Sequence, residues 1–305
     1  MGPVAITGAN SAVGREMLLL AGAGTASRTE GVSEIVACVR SERAERQLPE
    51  LGPETRVARI DYHDAPSLGR AFQGVESVVH LPGVLVESPG STYEAANVAT
   101  TRAVIDAACG AGVRKIVLVS ALGADVDSAN RYYRTKGQAE ALVRDAGLAW
   151  TILRAPLVLG PGTEGAAALR RNARGSAVAL PGGGQQRQQP LDVGDLARAA
   201  FRAAEPGVAD SQRLDVAGPD GLSDADLVRR AARELGHEVR VRSAPLFALR
   251  LLLRLRRVLG GSGFSTDALE VITTDTDVDP EPACEALGLQ LTPLDDMLRR
   301  SLEAS

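Results

Sequence analysis

Six short runs of β-branched and apolar residues punctuate the first half of the chain: "PVAIT" (3–7), "EIVACV" (34–39), "RVARI" (56–60), "SVVHL" (77–81), "KIVLVS" (115–120) and "WTILR" (150–154). Amphipathic stretches such as "STYEAANVATTRAVIDAACGAG" and "SANRYYRTKGQAEALVRDAG" separate them. Strands that are apolar throughout and alternate with helices predict a parallel sheet covered on both faces. The expected fold class is α/β, a doubly wound parallel sheet whose ligand sits at the carboxyl ends of the strands, near the point where strand order reverses.

After "LRAPLVLGPG" the texture changes, and the Gly, Pro and Gln of "LPGGGQQRQQP" predict a loop or hairpin. "LDVGDLARAAFRAA" and "QRLDVAG" read as a helix and an added strand that rejoin the sheet domain. From Leu222 the chain reads as mostly helical. Ser223 opens a helix through the Ser-x-x-Asp pattern of "SDAD", and Gly236 supplies a stop. Residues 1–154 with 186–218 are assigned to the sheet domain, and 155–185 with 219–305 to a smaller, mostly helical C-terminal lobe.

The segment "PLFALRLLLRLRRVLG" (245–260) sets four arginines among its leucines and is too short and too charged to span a bilayer. The expectation is a helix that packs its leucines inside while the arginines reach out along their stems. Lining an apolar pocket and contact with a membrane surface are the other readings.

"TGANSAVGR" follows the first strand. Gly8 allows the tight turn, and Gly14 lets the following helix pack close to the sheet. Ser11 stands at the middle position, where a third glycine is usual; it is small, and its hydroxyl can donate to a phosphate oxygen. In a strand–turn–helix context this pattern predicts a Rossmann fold that binds a dinucleotide, with the helix N-terminus facing the pyrophosphate. Asn10 and Val13 share the turn and complete its set of cofactor contacts.

The second strand ends in "CVRSERAER". Arg40, with Ser41 and Arg43 beside it, supplies donors for a 2′-phosphate and no carboxylate for a bare ribose, which favours NADP over NAD. Asp61, in "RIDYHD", is placed to accept from the adenine amino group or to cap the next helix.

A formal net charge of -4 gives no electrostatic basis for nucleic-acid binding, so the expected partner is a small-molecule substrate. Three cysteines and three histidines, far apart in sequence, predict neither a disulfide framework nor a metal site. Asp275, Asp277 and Asp279 mimic the start of a calcium loop, but Pro280 stands where such a loop needs glycine. The opening "MGPVAITG" enters a strand at once, without the pattern of a signal segment, so a cytoplasmic protein is expected, as a monomer or a homodimer.

In "RYYRTKGQAE", Tyr132 and Lys136 are four residues apart and share one helix face. A phenol is a poor acid–base group unless a neighbouring ammonium stabilises its phenolate, which Lys136 can do. Together "TGANSAVGR", "IDYHD", "VVHLPG", "NVATTRAVIDAACGAGVRKIVLVSALGA", "YYRTKGQAE", "WTILRAPLVLGPG" and "PLDVGDLARA" resemble the extended or atypical short-chain dehydrogenase/reductases, in the NAD(P)-dependent epimerase/dehydratase and NmrA-like neighbourhood. The tail from Thr273 resembles the branch that includes a nucleotide-binding accessory subunit of respiratory complex I.

The resemblance implies that Tyr132 is the acid/base and that Lys136 lowers its pKa and binds ribose. It also implies that a Ser or Thr just after the fifth strand polarises the substrate oxygen. The aligned residue is Ala121, so Ser120 is taken as the replacement, with Ser128 the alternative; Tyr133 is a rival to Tyr132. Leu81, Pro82 and Gly83 should pass the adenosine ribose and pyrophosphate, and Pro156 the nicotinamide. Asn97 either braces the sheet, as in the family, or faces solvent, and His80 reads as a core histidine. The function implied is NADPH-dependent reduction of a ketone or quinone-like carbonyl on a hydrophobic small molecule, such as a secondary metabolite. An NAD-dependent nucleotide-sugar epimerase or dehydratase and a non-catalytic NAD(P)-binding scaffold are the alternatives.

Overall fold

The structure, a computed structural model, describes residues 1–22, 33–81, 83–258 and 263–303. The first half runs β1 (Val4–Thr7), α1 (Ala12–Gly22), β2 (Ile35–Val39), α2 (Glu42–Glu45), β3 (Thr55–Arg59), α3 (Ala65–Phe72) and β4 (Ser77–His80). A π-helical turn (Glu94–Ala99) then leads into α4 (Thr100–Ala111), followed by β5 (Lys115–Ala121), α5 (Arg131–Arg144) and β6 (Ala149–Ala155). The second half comprises β7 (Val158–Leu159), α6 (Glu164–Ala173), β8 (Ala177–Pro181), β9 (Arg187–Gln188), β10 (Leu191–Asp192), α7 (Val193–Ala204) and β11 (Gln212–Asp215). It ends with β12 (Leu222–Ser223), α8 (Asp224–Glu234), β13 (Arg240–Ala244), α9 (Leu246–Val258), α10 (Thr266–Thr273), α11 (Glu281–Leu287) and α12 (Leu294–Glu303).

Seven strands pair in parallel in the order β11-β6-β5-β4-β1-β2-β3, so the order reverses between β1 and β4. All six apolar runs are strands of this Rossmann sheet, and "QRLD" adds the seventh at its edge. Alternate side chains feed two apolar layers. Ile6, Val79 and Val117 pack with α1 and α7, whereas Ala5, Val78, Ile116 and Leu118 pack with α3, α4 and α5. A third cluster joins α6, α8 and α12 through Leu169, Leu227, Val228, Met297 and Leu298.

The C-terminal segment departs from its expected assignment. Ala283 and Leu287 of α11 belong to the layer that covers β1 and α7, so this helix packs on the sheet domain. Arg300 then ties α12 to Asp192 at 2.8 Å and to Glu16 of α1 at 3.0 Å. The helical reading after Leu222 also misses β13, which pairs with β8 and places Val241 among the residues packed on the third cluster. The expected start of α8 is present: Ser223 Oγ accepts from the Asp226 amide at 3.0 Å.

α9 differs from expectation in its orientation. Among its described side chains, Leu246, Leu249 and Leu253 are half-buried, while Phe247, Leu251, Leu252 and Leu255 are 76%, 56%, 62% and 54% exposed. No helix among the described residues is long and apolar enough to cross a membrane.

Candidate active site

The turn after β1 is shaped by two close approaches. Gly8 has φ +74, and a Cβ at Gly14 would lie 2.6 Å from the Ala9 carbonyl oxygen and 2.7 Å from its Cα. Ser11 closes the turn by donating its amide to Gly8 O at 2.8 Å, and its Oγ accepts from the Gly14 amide at 3.1 Å. Ser11 is thus the N-cap of α1, and a hydroxyl that accepts in this way keeps its own proton to donate. Asn10 Nδ2 donates to Gln47 Oε1 at 3.0 Å. Arg15 was not anticipated: its Nε is buried and makes no hydrogen bond to a described residue. A guanidinium nitrogen left open beside a helix N-terminus suits a phosphate. The available signal was its position directly after Gly14.

At the other strand ends, Arg40 is exposed just beyond β2. Asp61 Oδ1 accepts from the His63 amide at 2.9 Å, while Asp64 occupies the N-cap position of α3, so Asp61 shapes the turn without capping the helix. Leu81 and Gly83 follow β4, and Pro82 lies outside the described residues. Gly83 has φ +140, and a Cβ there would sit 2.9 Å from Lys136 Nζ and 3.3 Å from Asn97 Oδ1. Asn97 is fully buried and donates to Thr135 Oγ1 at 3.0 Å, which braces the π-helical turn against α5. His80 pairs through Nδ1 with Thr7 Oγ1 at 2.6 Å, and burial together with the Lys136 charge pushes its pKa down to about 3. It is a neutral core histidine.

Asn130 caps α5, accepting from the Tyr132 and Tyr133 amides at 3.0 and 3.4 Å and donating to Glu270 of α10 at 3.0 Å. The Tyr132 ring lies edge-on to Tyr93 and Tyr133, with centroids 5.7 and 5.6 Å away. Its hydroxyl makes no hydrogen bond to a described residue, and Thr274 near the Tyr133 phenol partly offsets the upward push of burial on that group. Burial, with smaller contributions from Tyr133 and Tyr93, holds the Tyr132 phenol above its usual range. Lys136 donates to Val119 O at 3.3 Å, and burial, opposed by Glu140, brings its ammonium down to about 8. In the protein alone, the Tyr132 phenol is therefore protonated at neutral pH.

The expectation for Ser120 is corrected by strand alternation. Ser120 shares the face of Ile116 and Leu118, beneath α5, and donates to Glu140 Oε1 at 2.6 Å. Glu140 also receives two hydrogen bonds from Arg154, at 2.9 and 2.7 Å. Ala121, on the opposite face, is the residue that reaches the cavity.

That cavity, about 830 Å³, runs from Asn10, Ser11, Val13 and Arg15 past Ala121, Tyr132, Tyr133 and Pro156 to the second lobe. Its far end is walled by Leu157, Leu169, Leu180, Leu227 and Val228. It brings together four of the expected cofactor contacts and the expected proton donor. Gly8, Gly14, Arg40, Asp61, Leu81, Gly83, Ser120 and Lys136 are not among its lining residues. Asp224 is, and sequence reasoning saw in it only part of a helix start. Burial pushes its carboxyl up to about 6. The three tail aspartates are otherwise employed: Asp275 and Asp277 accept from Arg187, each at 2.7 Å, and Asp279 accepts from the Glu281 amide at 3.0 Å.

A family model described as NAD(P)H-binding matches residues 8–181, more than half of the chain and the whole of this cleft's sheet side. The chain belongs to the NAD(P)H-binding family. Among curated relatives of this NAD(P)H-binding protein, a ceramide reductase of Caulobacter vibrioides is 28% identical over 245 residues, 80% of this chain and 74% of the relative. Subunit 9 of the NADH dehydrogenase [ubiquinone] 1 alpha subcomplex of Arabidopsis thaliana mitochondria is 29% identical over 195 residues, 61% of this chain and 48% of that protein.

Two solved structures share the fold. MoeE5 in complex with UDP-glucuronic acid and NAD has a TM-score of 0.74 at 24% identity, covering 99% of this chain and 98% of its own. The NADPH-dependent quinone oxidoreductase QOR2 of Escherichia coli, complexed with NADPH, has a TM-score of 0.71 at 22% identity, covering 97% and 98%. The residues at the cleft fit such a cofactor. The cradle at Gly14 has no room for a Cβ, and the open Arg15 Nε offers a buried donor for a diphosphate.

Proposed function

We propose that this protein is an NADPH-dependent oxidoreductase that reduces a ketone or quinone-like carbonyl on a hydrophobic small molecule. The observation that carries the proposal is the Tyr132 hydroxyl, which makes no hydrogen bond to a described residue and belongs to a cavity whose lobe side is lined by several leucines along with Asn172, Gln188 and Asp224. When bound, NADPH supplies a hydride to the carbonyl carbon. Tyr132 gives its proton to the carbonyl oxygen, which its protonated state suits. Lys136, which donates to Val119 O and lies close to Gly83, would bind the ribose and place its ammonium one helical turn from Tyr132.

Gly8, Asn10, Ser11, Val13 and Gly14 hold the pyrophosphate, with Arg15 added to them. Arg40 takes the 2′-phosphate, Asp61 the adenine, Leu81 and Gly83 the adenosine ribose, and Pro156 passes the nicotinamide. With Ala121 at the cavity, β5 supplies no hydroxyl to the substrate oxygen, and Tyr132 of α5 polarises it. The ceramide reductase and quinone oxidoreductase names support an apolar carbonyl substrate. Among the described residues, the lobe wall carries Glu164 and Asp224 but no Lys or Arg, so it offers no cation for the diphosphate of a nucleotide sugar.

The test is NADPH consumption with a panel of long-chain ketones and quinones, comparing the wild type with Tyr132→Phe. Turnover that falls about 100-fold or more while NADPH affinity is kept supports the assignment. Equal turnover by the two proteins would remove Tyr132 as the proton donor.

A further inference from the structure

We infer that α9 is a docking helix for an anionic lipid bilayer. The helix has two apolar faces. Leu246, Leu249 and Leu253 turn toward the body of the protein, whereas Phe247, Leu251 and Leu255, spaced four apart, form an outward row with Leu252 beside it. All four outward side chains are more than half exposed. A soluble surface seldom gathers large apolar residues on one convex element without a partner to cover them.

Charge selects the partner. The sequence from Val239 to Thr266 contains six arginines and no carboxylate, in a chain whose net charge is -4. On the helix, Arg250 and Arg254 border one edge of the apolar row and Arg256 borders the other; all three are exposed. Arg250 and Arg254 form no ion pair with a described residue. Beside the helix, Arg254 and Arg256 line a cleft of about 450 Å³ that also holds Phe264 and the Arg131–Glu87 ion pair. Apolar side chains bordered by arginines are what a helix lying in a lipid interface requires: the leucines enter the acyl boundary and the guanidinium groups reach back to phosphate.

A second copy of the same helix is a poorer cover. Two-fold pairing of α9 on α9 would set arginines of one copy against arginines of the other. Docking would also bring the substrate cavity close to the bilayer, because α9 packs against α10, whose Val271 and Ile272 line that cavity. That consequence rests on the proposed reductase reading, whereas docking itself does not.

Flotation of the full chain with vesicles tests the inference. Wild type should float with vesicles of phosphatidylcholine mixed with phosphatidylglycerol, float poorly with phosphatidylcholine alone, and be released as salt rises. The double variant Leu251→Ser/Leu252→Ser should lose about tenfold or more in affinity for the mixed vesicles. Arg250→Gln/Arg254→Gln should lose the preference for anionic lipid. Both variants change exposed side chains and should keep the wild-type circular dichroism and NADPH affinity, so that failure of the docking proposal and of the reductase reading are separable. Folded wild type that does not float with the mixed vesicles overturns the inference. So does undiminished flotation of the leucine variant, or a concentration-dependent dimer that this variant abolishes while no vesicle binding is seen.

Discussion

Ser120 Oγ lies 2.6 Å from Glu140 Oε1, and Arg154 clamps the same carboxylate from the neighbouring strand. The hydroxyl at the end of β5 therefore holds α5 in place from below, while Ala121 is left at the cavity. α5 carries Tyr132 and Lys136, so the network supports the site from below, and the Glu140 charge also acts on Lys136. Ser120→Ala should lower stability by about 1.5–3 kcal/mol and leave the turnover of folded protein within about threefold of wild type. A loss near a hundredfold in turnover, with normal stability, would return Ser120 to the substrate.

Removing Glu140 is expected to be harsher. Glu140 and Arg154 are both largely buried, with side chains 4% and 14% exposed. Glu140→Ala would leave the guanidinium uncompensated, at a cost of about 3–5 kcal/mol in urea unfolding. A cost under about 1 kcal/mol would mean that water reaches the pair and screens it.

Lys136 gives the apo protein a pH signature. Its pKa in the folded chain is about 8, below the ordinary 10.5, so between these values the unfolded state binds more protons. Its contribution to stability must then rise with pH from about 8 upward. Relative to Lys136→Met, the wild type should gain up to about 2 kcal/mol between roughly pH 8 and pH 9.5. Parallel stability curves for the two proteins over that window would show that the ammonium is not desolvated.

Arg40 and Arg15 should separate two phosphate sites. Arg40→Ala is expected to weaken NADPH binding by about 10–100-fold and to leave NADH binding unchanged, whereas Arg15→Ala should weaken both equally. Calorimetric titration of each variant with each cofactor reads this directly. Ser11→Asp should likewise abolish tight binding of both, because it sets a carboxylate at the helix N-cap facing the pyrophosphate; unchanged affinity would dismiss Ser11 as a cofactor contact.

Gly14→Ala would force a Cβ to within 2.7 Å of the Ala9 backbone. The turn would have to open, costing about 1–3 kcal/mol and weakening cofactor binding with it. Thermal unfolding with and without NADPH measures both effects; wild-type values in both would mean that the turn relaxes freely.

Much of this protein was legible from one dimension, because the relevant signals are local. β-branched runs separated by amphipathic helices specify a parallel sheet; Gly8 and Gly14 specify the turn after β1; Ser223 and Asp226 specify where α8 starts. The remainder depends on residues far apart in sequence. Whether Ser120 or Ala121 faces the cavity turned on where β5 ends and on Glu140, twenty residues away. That α11 packs on the sheet, that "RVRSA" pairs as a strand, and that Phe247 and Leu251 point outward were decided by what each segment met in the folded chain. Periodicity shows that a helix has an apolar face, but only its neighbours determine whether that face, or a second one beside it, is buried.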